Sequence, residues 1–176
     1  VDAPAASCLT RYLARIGYAG PIAPTLDVLR ALQAAHIAAI PFEALDVLVD
    51  GAVDVDAAAV DAKLIDQRRG GYCYEQDGLF LRVLQAIGFD AEPRLARVGW
   101  MLADDDPATA RSHLVNRVML SGRPWLADVG FGSATPTAPL ALDDSEPQPT
   151  VHEAYRIRRS QDAWLVEVLL GDSWAA

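Results

Sequence analysis

The sequence predicts an α+β protein, an N-terminal helical bundle followed by a small antiparallel β-barrel or sheet domain. Three observations predict it. Apolar residues recur at helical spacing as far as Gly88. From Phe89 onward they collect in short strand-like runs separated by turn signals. Helices come first and strands later, with no βαβ alternation, which segregates helix from sheet. On this reading residues 1–88 form the helical domain and residues 89–176 the β domain.

In the first half, Ser7 caps a helix whose inner face carries Leu9, Tyr12, Leu13 and Ile16, and Gly17 stops it. Thr25 or Asp27 opens a second helix with Leu26, Leu29, Leu32 and Ile37 inward, ended by Pro41. Leu45 to Gly51 reads as extended or looped. Asp56 caps a third helix that buries Val60, Leu64 and Ile65. The fourth runs from Cys73 to Ile87 with Leu79, Phe80, Val83 and Leu84 buried and Gly88 as its stop. Strands are expected over 94–100, 113–120, 125–129, 155–158 and 164–170. Ser121-Gly122 marks a hairpin turn, Asp104-Asp105-Asp106-Pro107 an exposed loop, and 136–149 is Pro-rich.

The bulk numbers exclude several classes. Among 176 residues, 15 basic side chains stand against 24 acidic ones, a net charge of −9. Nucleic acid is excluded as a partner, because phosphate neutralisation needs basic stripes. No apolar run reaches the roughly 18 residues of a membrane helix, so no membrane partner is expected. No secretory signal opens the chain, and Val1 is not an initiator methionine. Two cysteines are too few for a disulfide framework, which points to a reducing cytoplasm.

The chemistry concentrates at Gly70-Gly71-Tyr72-Cys73-Tyr74-Glu75. Two glycines let the backbone turn sharply, and the cysteine follows in the first turn of a helix. The partial positive charge and free N–H groups there favour a thiolate. His113 and Asp128 lie downstream on the hairpin around Ser121-Gly122. If those two residues form the loop, Asp128 faces Val115, on the same strand face as His113, and is a diagonal neighbour within side-chain reach; a four-residue loop from Met119 to Gly122 would set the two directly opposite, and either register puts both on one face. A carboxylate there fixes the imidazole tautomer, and the other ring nitrogen is free to take a proton from Cys73.

Plainer readings exist for each residue. A free cysteine is commonly a small buried hydrophobe. Asp128, within the apolar run 125–131, needs a partner that Arg117 could equally supply. Cys8 reads as core, His36 as a packing or capping residue and His152 as solvated. Zinc binding by Cys73, His36, His113 and His152 lacks any ligand pair at metal spacing, so no metal is expected. Gly130-Phe131-Gly132 fits no phosphate-loop fingerprint and either admits a cofactor to the backbone or simply turns the chain. Glu43 and Arg69 read as an ion pair tying the second helix to the cysteine turn.

Arg69-Gly70-Gly71-Tyr72-Cys73-Tyr74-Glu75-Gln76 resembles the cysteine motif of the arylamine N-acetyltransferases. Ile40-Pro41-Phe42-Glu43 after His36, Ser112-His113-Leu114 and Asp128-Val129-Gly130-Phe131-Gly132 are similar to that family's other motifs, in the same order. Ala44 departs from the asparagine often found there. The resemblance implies a cysteine-protease-like core and ping-pong transfer. Cys73 takes an acetyl group from acetyl-CoA, releases CoA and passes the group to an arylamine, hydrazine or arylhydroxylamine, with His113 as base and Asp128 as its orienter. It further implies that Phe42, Val98 and Phe131 line the aromatic-amine pocket. Ser112, Gly130, Phe131 and Gly132 lie against the acetyl-CoA arm, with Arg94, Arg97 and Arg111 as candidates for its phosphates by charge. Family members usually add an α/β lid as a third domain, and this chain stops about where it would begin. The expectation is an open cleft in which thioester hydrolysis competes with amine transfer. A transglutaminase-like or thiol-peptidase amidase uses the same residue order, and a non-catalytic binding module is the third reading.

Overall fold

The structure, a computed structural model, describes residues 3–100, 110–160 and 163–176. It is α+β, as expected. Its helices are α1 (Ala3–Ile16), α2 (Leu26–Ala39), α3 (Leu45–Asp50), α4 (Ala57–Val60) and α5 (Cys73–Ile87), with a π-helical turn at Asp61–Asp66 prolonging α4. Two antiparallel four-stranded sheets follow. The first is β1 (Asp90–Arg97), β2 (Arg111–Leu120), β3 (Arg123–Ala127) and β4 (Leu140–Ala141), paired in that order. The second is β5 (Gln148–Pro149), β6 (Ala154–Ser160), β7 (Ala163–Leu170) and β8 (Ser173–Ala175), likewise in order. Among the described residues, no helix is long and apolar enough to cross a membrane.

The expected barrel is corrected to two open sheets. Closure needs a staggered register continued around every strand. Here the sheets meet end to end in sequence through β4 and β5, which pair over only two residues each. Pro149 within β5 has no N–H to extend the ladder.

The first sheet is buried on both faces near its centre. Val118, Trp125 and Ala127 pack toward the helices, in one core with Tyr12, Leu29, Leu32, Leu64, Leu79, Phe80 and Leu84. Val115 and Leu126, on the opposite face, join Leu140, Leu142, Tyr155, Ile157 and Val168 of the second sheet. The two-residue period of a strand divides neighbouring side chains between the two cores. That accounts for the near-continuous apolar run 125–129.

Several boundaries differ from expectation. Helix α1 is under way at Ala3, so Ser7 lies inside it rather than at its cap. Leu45 to Asp50 is a helix, not a loop: Glu43 accepts the Leu45 N–H at 2.8 Å, and Gly51, at φ +70°, closes the end. Asp56 precedes α4 without a side-chain cap. The first strand spans Asp90–Arg97 rather than 94–100, because β1 follows β2 from Met119 back to Arg111. Pro93 is tolerated there on an edge strand. Strands β4, β5 and β8 were not foreseen, and the loop 104–107 lies outside the described residues. The second and last expected helices hold, with Thr25 accepting the Val28 N–H and Gly88 left-handed at φ +102°.

Candidate active site

The turn before Cys73 is built by close approach. Gly71 bridges in parallel with Phe42, through Gly71 N–H to Pro41 O (3.3 Å) and Glu43 N–H to Gly71 O (3.1 Å). A Cβ on Gly70 would stand 2.2 Å from the Pro41 oxygen. The glycine pair is therefore required for space, whereas the sequence had suggested a sharp turn; neither glycine has positive φ. Glu75, in the first turn of α5, accepts the Tyr72 N–H at 3.0 Å and holds Lys63 Nζ at 2.7 Å. Lys63 also reaches Asp46 at 2.9 Å, and Arg69 pairs with Glu43 (2.8 Å) and Asp46 (2.6 Å). The Glu43–Arg69 pair thus exists within a wider network under the cysteine turn.

His113 arrives from β2. The β2–β3 hairpin turns through Ser121 and Gly122, with Leu120 opposite Arg123 and both loop residues at positive φ (51° and 77°). This is the primed two-residue turn that suits strand twist. Its register carries Asp128, one residue past β3, to the diagonal of His113. His113 Nε2 and Asp128 Oδ2 lie 2.7 Å apart, both side chains buried. Arg117, the alternative partner for Asp128, instead pairs with Glu92.

Cys73 stands against the start of β2. The register slips between Ala96 and Arg97, leaving Ser112 without a cross-strand partner. The Ser112 carbonyl faces Cys73 Sγ at 3.9 Å. Burial pushes the Cys73 thiol up. A hydrogen bond with His113, the Leu114 and Tyr74 N–H groups and the His113 charge more than offset it, and the thiol is held below its ordinary value. For His113, burial acts downward, but its bonds to Asp128 and Cys73 and the charge of Asp128 raise it to about 10. Both shifts favour one species, a thiolate beside an imidazolium. Asp128 Oδ2 occupies His113 Nε2, which leaves the other ring nitrogen, Nδ1, for the sulfur.

Phe131 stacks edge-on against His113, ring centres 5.2 Å apart, and Trp100 meets Phe131 edge-on at 6.3 Å. Phe42, 47% exposed, lies against Gly132, where an added Cβ would be 3.5 Å from its ring. Phe42, Phe131 and Gly132 are therefore together beside the histidine, and Gly130 packs on Cys73 itself, its Cβ position only 2.8 Å from the Cys73 Cα. Val98 is half-buried just past β1. Trp100 was missed in the sequence, where it read only as a strand end. Arg97 stands opposite Arg111 in the β1–β2 ladder, while Arg94 pairs with Glu92.

The remaining candidates lie apart from this cluster. His36 is fully buried between Tyr12 Oη (2.8 Å) and Gln76 Oε1 (3.0 Å), and burial lowers it to about 4. Cys8 packs against the helical core, with its thiol raised to about 11 chiefly by burial. His152 is exposed. Among the described residues, no group of three or more His, Cys, Asp or Glu side chains is placed to hold a metal ion. Surface hollows of about 270 Å³ beside Cys8 and Arg82, and about 310 Å³ between Arg11 and Arg68, lie away from Cys73.

A profile of the N-acetyltransferase family matches residues 25–176. The chain belongs to the arylamine N-acetyltransferase family. It is 43% identical over 169 residues to the arylamine N-acetyltransferase of Mycobacterium tuberculosis H37Rv, covering 94% of this chain and 60% of that protein. The Escherichia coli K12 arylamine N-acetyltransferase is 40% identical over 166 residues, covering 94% and 58%. Among solved structures of the family, the Salmonella typhimurium enzyme superposes with a TM-score of 0.91 at 39% identity, covering 96% of this chain and 61% of that one. The Mycobacterium marinum enzyme in complex with CoA gives 0.90 at 46% identity, covering 94% and 62%. The chain thus spans about 60% of the length of these arylamine N-acetyltransferases.

Proposed function

We propose that this chain carries out ping-pong acetyl transfer from acetyl-CoA, through a thioester on Cys73, to arylamines, hydrazines or arylhydroxylamines. One observation carries the reading: a buried His113–Asp128 pair at 2.7 Å beside a Cys73 thiol that His113 helps hold below its ordinary value. Family membership and the CoA complex of a relative support the donor.

In this reading Cys73 gives its proton to His113 Nδ1, and the thiolate attacks the acetyl carbonyl carbon. Collapse of the tetrahedral intermediate breaks the bond to the CoA sulfur, and that sulfur takes the proton from imidazolium. The amine nitrogen then attacks the Cys73 thioester while His113 accepts its proton. Cys73 is released, and the ring returns the proton to it. Asp128 holds the ring and stabilises the imidazolium. A helix-start cysteine, a histidine on a strand and an aspartate just past the next strand follow the logic of a cysteine-protease-like core.

Phe42, Val98 and Phe131, with Trp100 added, are the proposed walls for a flat apolar amine. Ser112, Gly130, Phe131 and Gly132 are proposed to face the acetyl-CoA arm. We assign the cysteine to a helical unit, residues 1–88, the histidine and aspartate to a β unit, residues 89–176, and the protein to the cytoplasm.

The test is incubation with acetyl-labelled acetyl-CoA, acid quench and mass analysis of the Cys73 peptide. One acetyl group on Cys73, discharged by an aromatic amine or hydrazine, is expected. An unlabelled Cys73, with hydrolysis of peptide amides instead, would favour the amidase reading.

A further inference from the structure

Asp77 is an acid for which the chemistry above has no use. It stands one helical turn after Cys73 on α5 and is fully buried. Its Oδ1 accepts the Val129 N–H at 3.2 Å and Asn116 Nδ2 at 3.3 Å, and the same Nδ2 reaches the Asp77 carbonyl at 3.1 Å. Its Oδ2 has no hydrogen-bond partner among the described residues, and neither has Asn116 Oδ1. A Cβ on Gly130 would stand 2.5 Å from that Oδ2, so the carboxyl is wedged against the backbone that follows Asp128.

A bare carboxylate oxygen in such a place is strongly disfavoured. The titratable groups facing Asp77 are Cys73 on its own helix, His113 on β2, Asp128 beyond β3 and Tyr12 on α1. His113 is the cation among them, and Asp128 already holds it. Asp128 has donors for both oxygens, His113 Nε2 on Oδ2 and the Gly130 N–H on Oδ1 at 2.9 Å. Asp77 has donors for one oxygen only. Two carboxyl groups share a dry corner with one cation, and both cannot ionise there. The proton belongs on the acid with fewer donors. Burial, then the charge of Asp128, push the Asp77 carboxyl well above the usual carboxylate range, against the opposing pull of the Val129 N–H and His113. A proton on Oδ2 also supplies the one donor that the Asp77–Asn116 pair lacks.

We propose that Asp77 is a neutral carboxylic acid at neutral pH and a positioning residue beneath the cysteine, holding through Oδ1 the backbone that carries Asp128. Uncharged, it leaves Asp128 as the sole carboxylate facing His113. An ionised Asp77 would set a second negative charge beside the Cys73 sulfur and oppose its ionisation. The positioning role rests on the triad reading above; the protonation state does not.

Asp77→Asn in the full chain tests both. It keeps the shape and the Oδ1 acceptor and carries no acid proton. The infrared difference between wild type and Asp77→Asn at pH 7 should contain the carbonyl band of a protonated carboxylic acid; carboxylate bands in its place would overturn the proposal. The folded state holds a proton that the unfolded chain has released above the ordinary value of 3.8. Wild-type stability therefore falls relative to Asp77→Asn as pH rises from 5 to 7. The ratio of their unfolding constants grows about tenfold per pH unit, and parallel curves would overturn the proposal. For positioning, the pH midpoint of Cys73 alkylation should be unmoved in Asp77→Asn and raised in Asp77→Ala. If Asp77→Ala does not fold, Asn116→Ala, which removes one of the two donors on Oδ1, replaces it and should raise the midpoint by less. Equal midpoints in the amide and truncation variants overturn the positioning role while the infrared and stability results still judge the neutral acid. Failure of Cys73 acetylation with those two results intact would overturn the triad reading alone.

Discussion

Lys63 Nζ lies 2.7 Å from Glu75 Oε1, beneath the turn that presents Cys73. The lysine comes from the π-helical turn and the glutamate from the first turn of α5. The other oxygen of Glu75 holds the Tyr72 N–H, so one buried ion pair ties an irregular helix to the backbone immediately before Cys73. Burial works against the Lys63 charge, but bonds to Glu75 and Asp46 win and raise it.

Lys63→Met should leave Glu75 buried without its cation. Removing one partner of a buried pair costs about 3–5 kcal/mol. Denaturant unfolding measures this loss. Alkylation of Cys73 should slow as well, since the turn loses its anchor.

Asp128→Asn should keep the packing and lose the charge that holds His113. Triad carboxylates replaced by amides lose on the order of 10⁴ in turnover. Rapid-quench measurement of Cys73 acetylation should reveal a fall of that order, with far-ultraviolet circular dichroism unchanged. An acetylation rate within a few-fold of wild type would remove Asp128 from the mechanism.

Gly130→Ala should be destabilising, because its methyl would meet Asp77 Oδ2 at 2.5 Å and Cys73 Cα at 2.8 Å. Both are held by α5 and cannot swing away. Overpacking of this kind costs about 1–3 kcal/mol. A thermal melt checks the stability, and iodoacetamide kinetics check the expected displacement of Cys73. Gly122→Ala, at the far end of the hairpin with open space around it, is the control; its φ of +77° strains the turn but leaves the cysteine alone.

The Cys73–His113 pair gives stability a pH signature. His113 is raised from 6.5 to about 10, and the Cys73 thiol is lowered from 9.0. The raised His113 contributes stability that is lost as pH climbs from 6.5 through about 10, because the folded ring keeps a proton that the unfolded ring has released. The lowered Cys73 acts the other way: the folded thiol gives up its proton before the unfolded one does, so its contribution grows as pH rises toward 9.0. Above 9.0 the thiol proton is gone from both states and only the histidine counts, so stability falls up to about 10. Subtracting the melts of the Cys73→Ala, His113→Gln double variant from wild type should isolate this fall. A difference that stays level between about pH 9 and 10 would mean the folded ring is not held protonated by its partners.

Much of the candidate site could be read before the fold. Ser121-Gly122 marks the hairpin, and of the two loop lengths the sequence allows the structure has the two-residue one, with both residues at positive φ and Leu120 opposite Arg123. The diagonal of His113 and Asp128 then follows from strand geometry. The start of α5 at Cys73 is likewise local, set by Gly71 before it and Glu75 within it. Other parts were hidden because their causes are distant in sequence. Leu45 to Asp50 lacks a helical pattern of burial; Asp46 is drawn in by Lys63 and Arg69 from the next segment. Trp100 joins the proposed pocket only because Phe131 comes to it. Asp77 carries no signal in the sequence, because β2 and the Asp128 segment that enclose it lie far along the chain.

Sequence by itself determined the helix-then-strand order, the start of a helix at Cys73 and the hairpin that brings His113 and Asp128 to one face, because each depends on residues near one another along the chain. Only the tertiary structure decided that Cys73 meets His113, that the sheets stay open and that Asp77 shares a dry corner with Asp128. Those depend on α5 packing against β2 across about 40 residues of chain, where desolvation and charge act between groups that no local pattern connects.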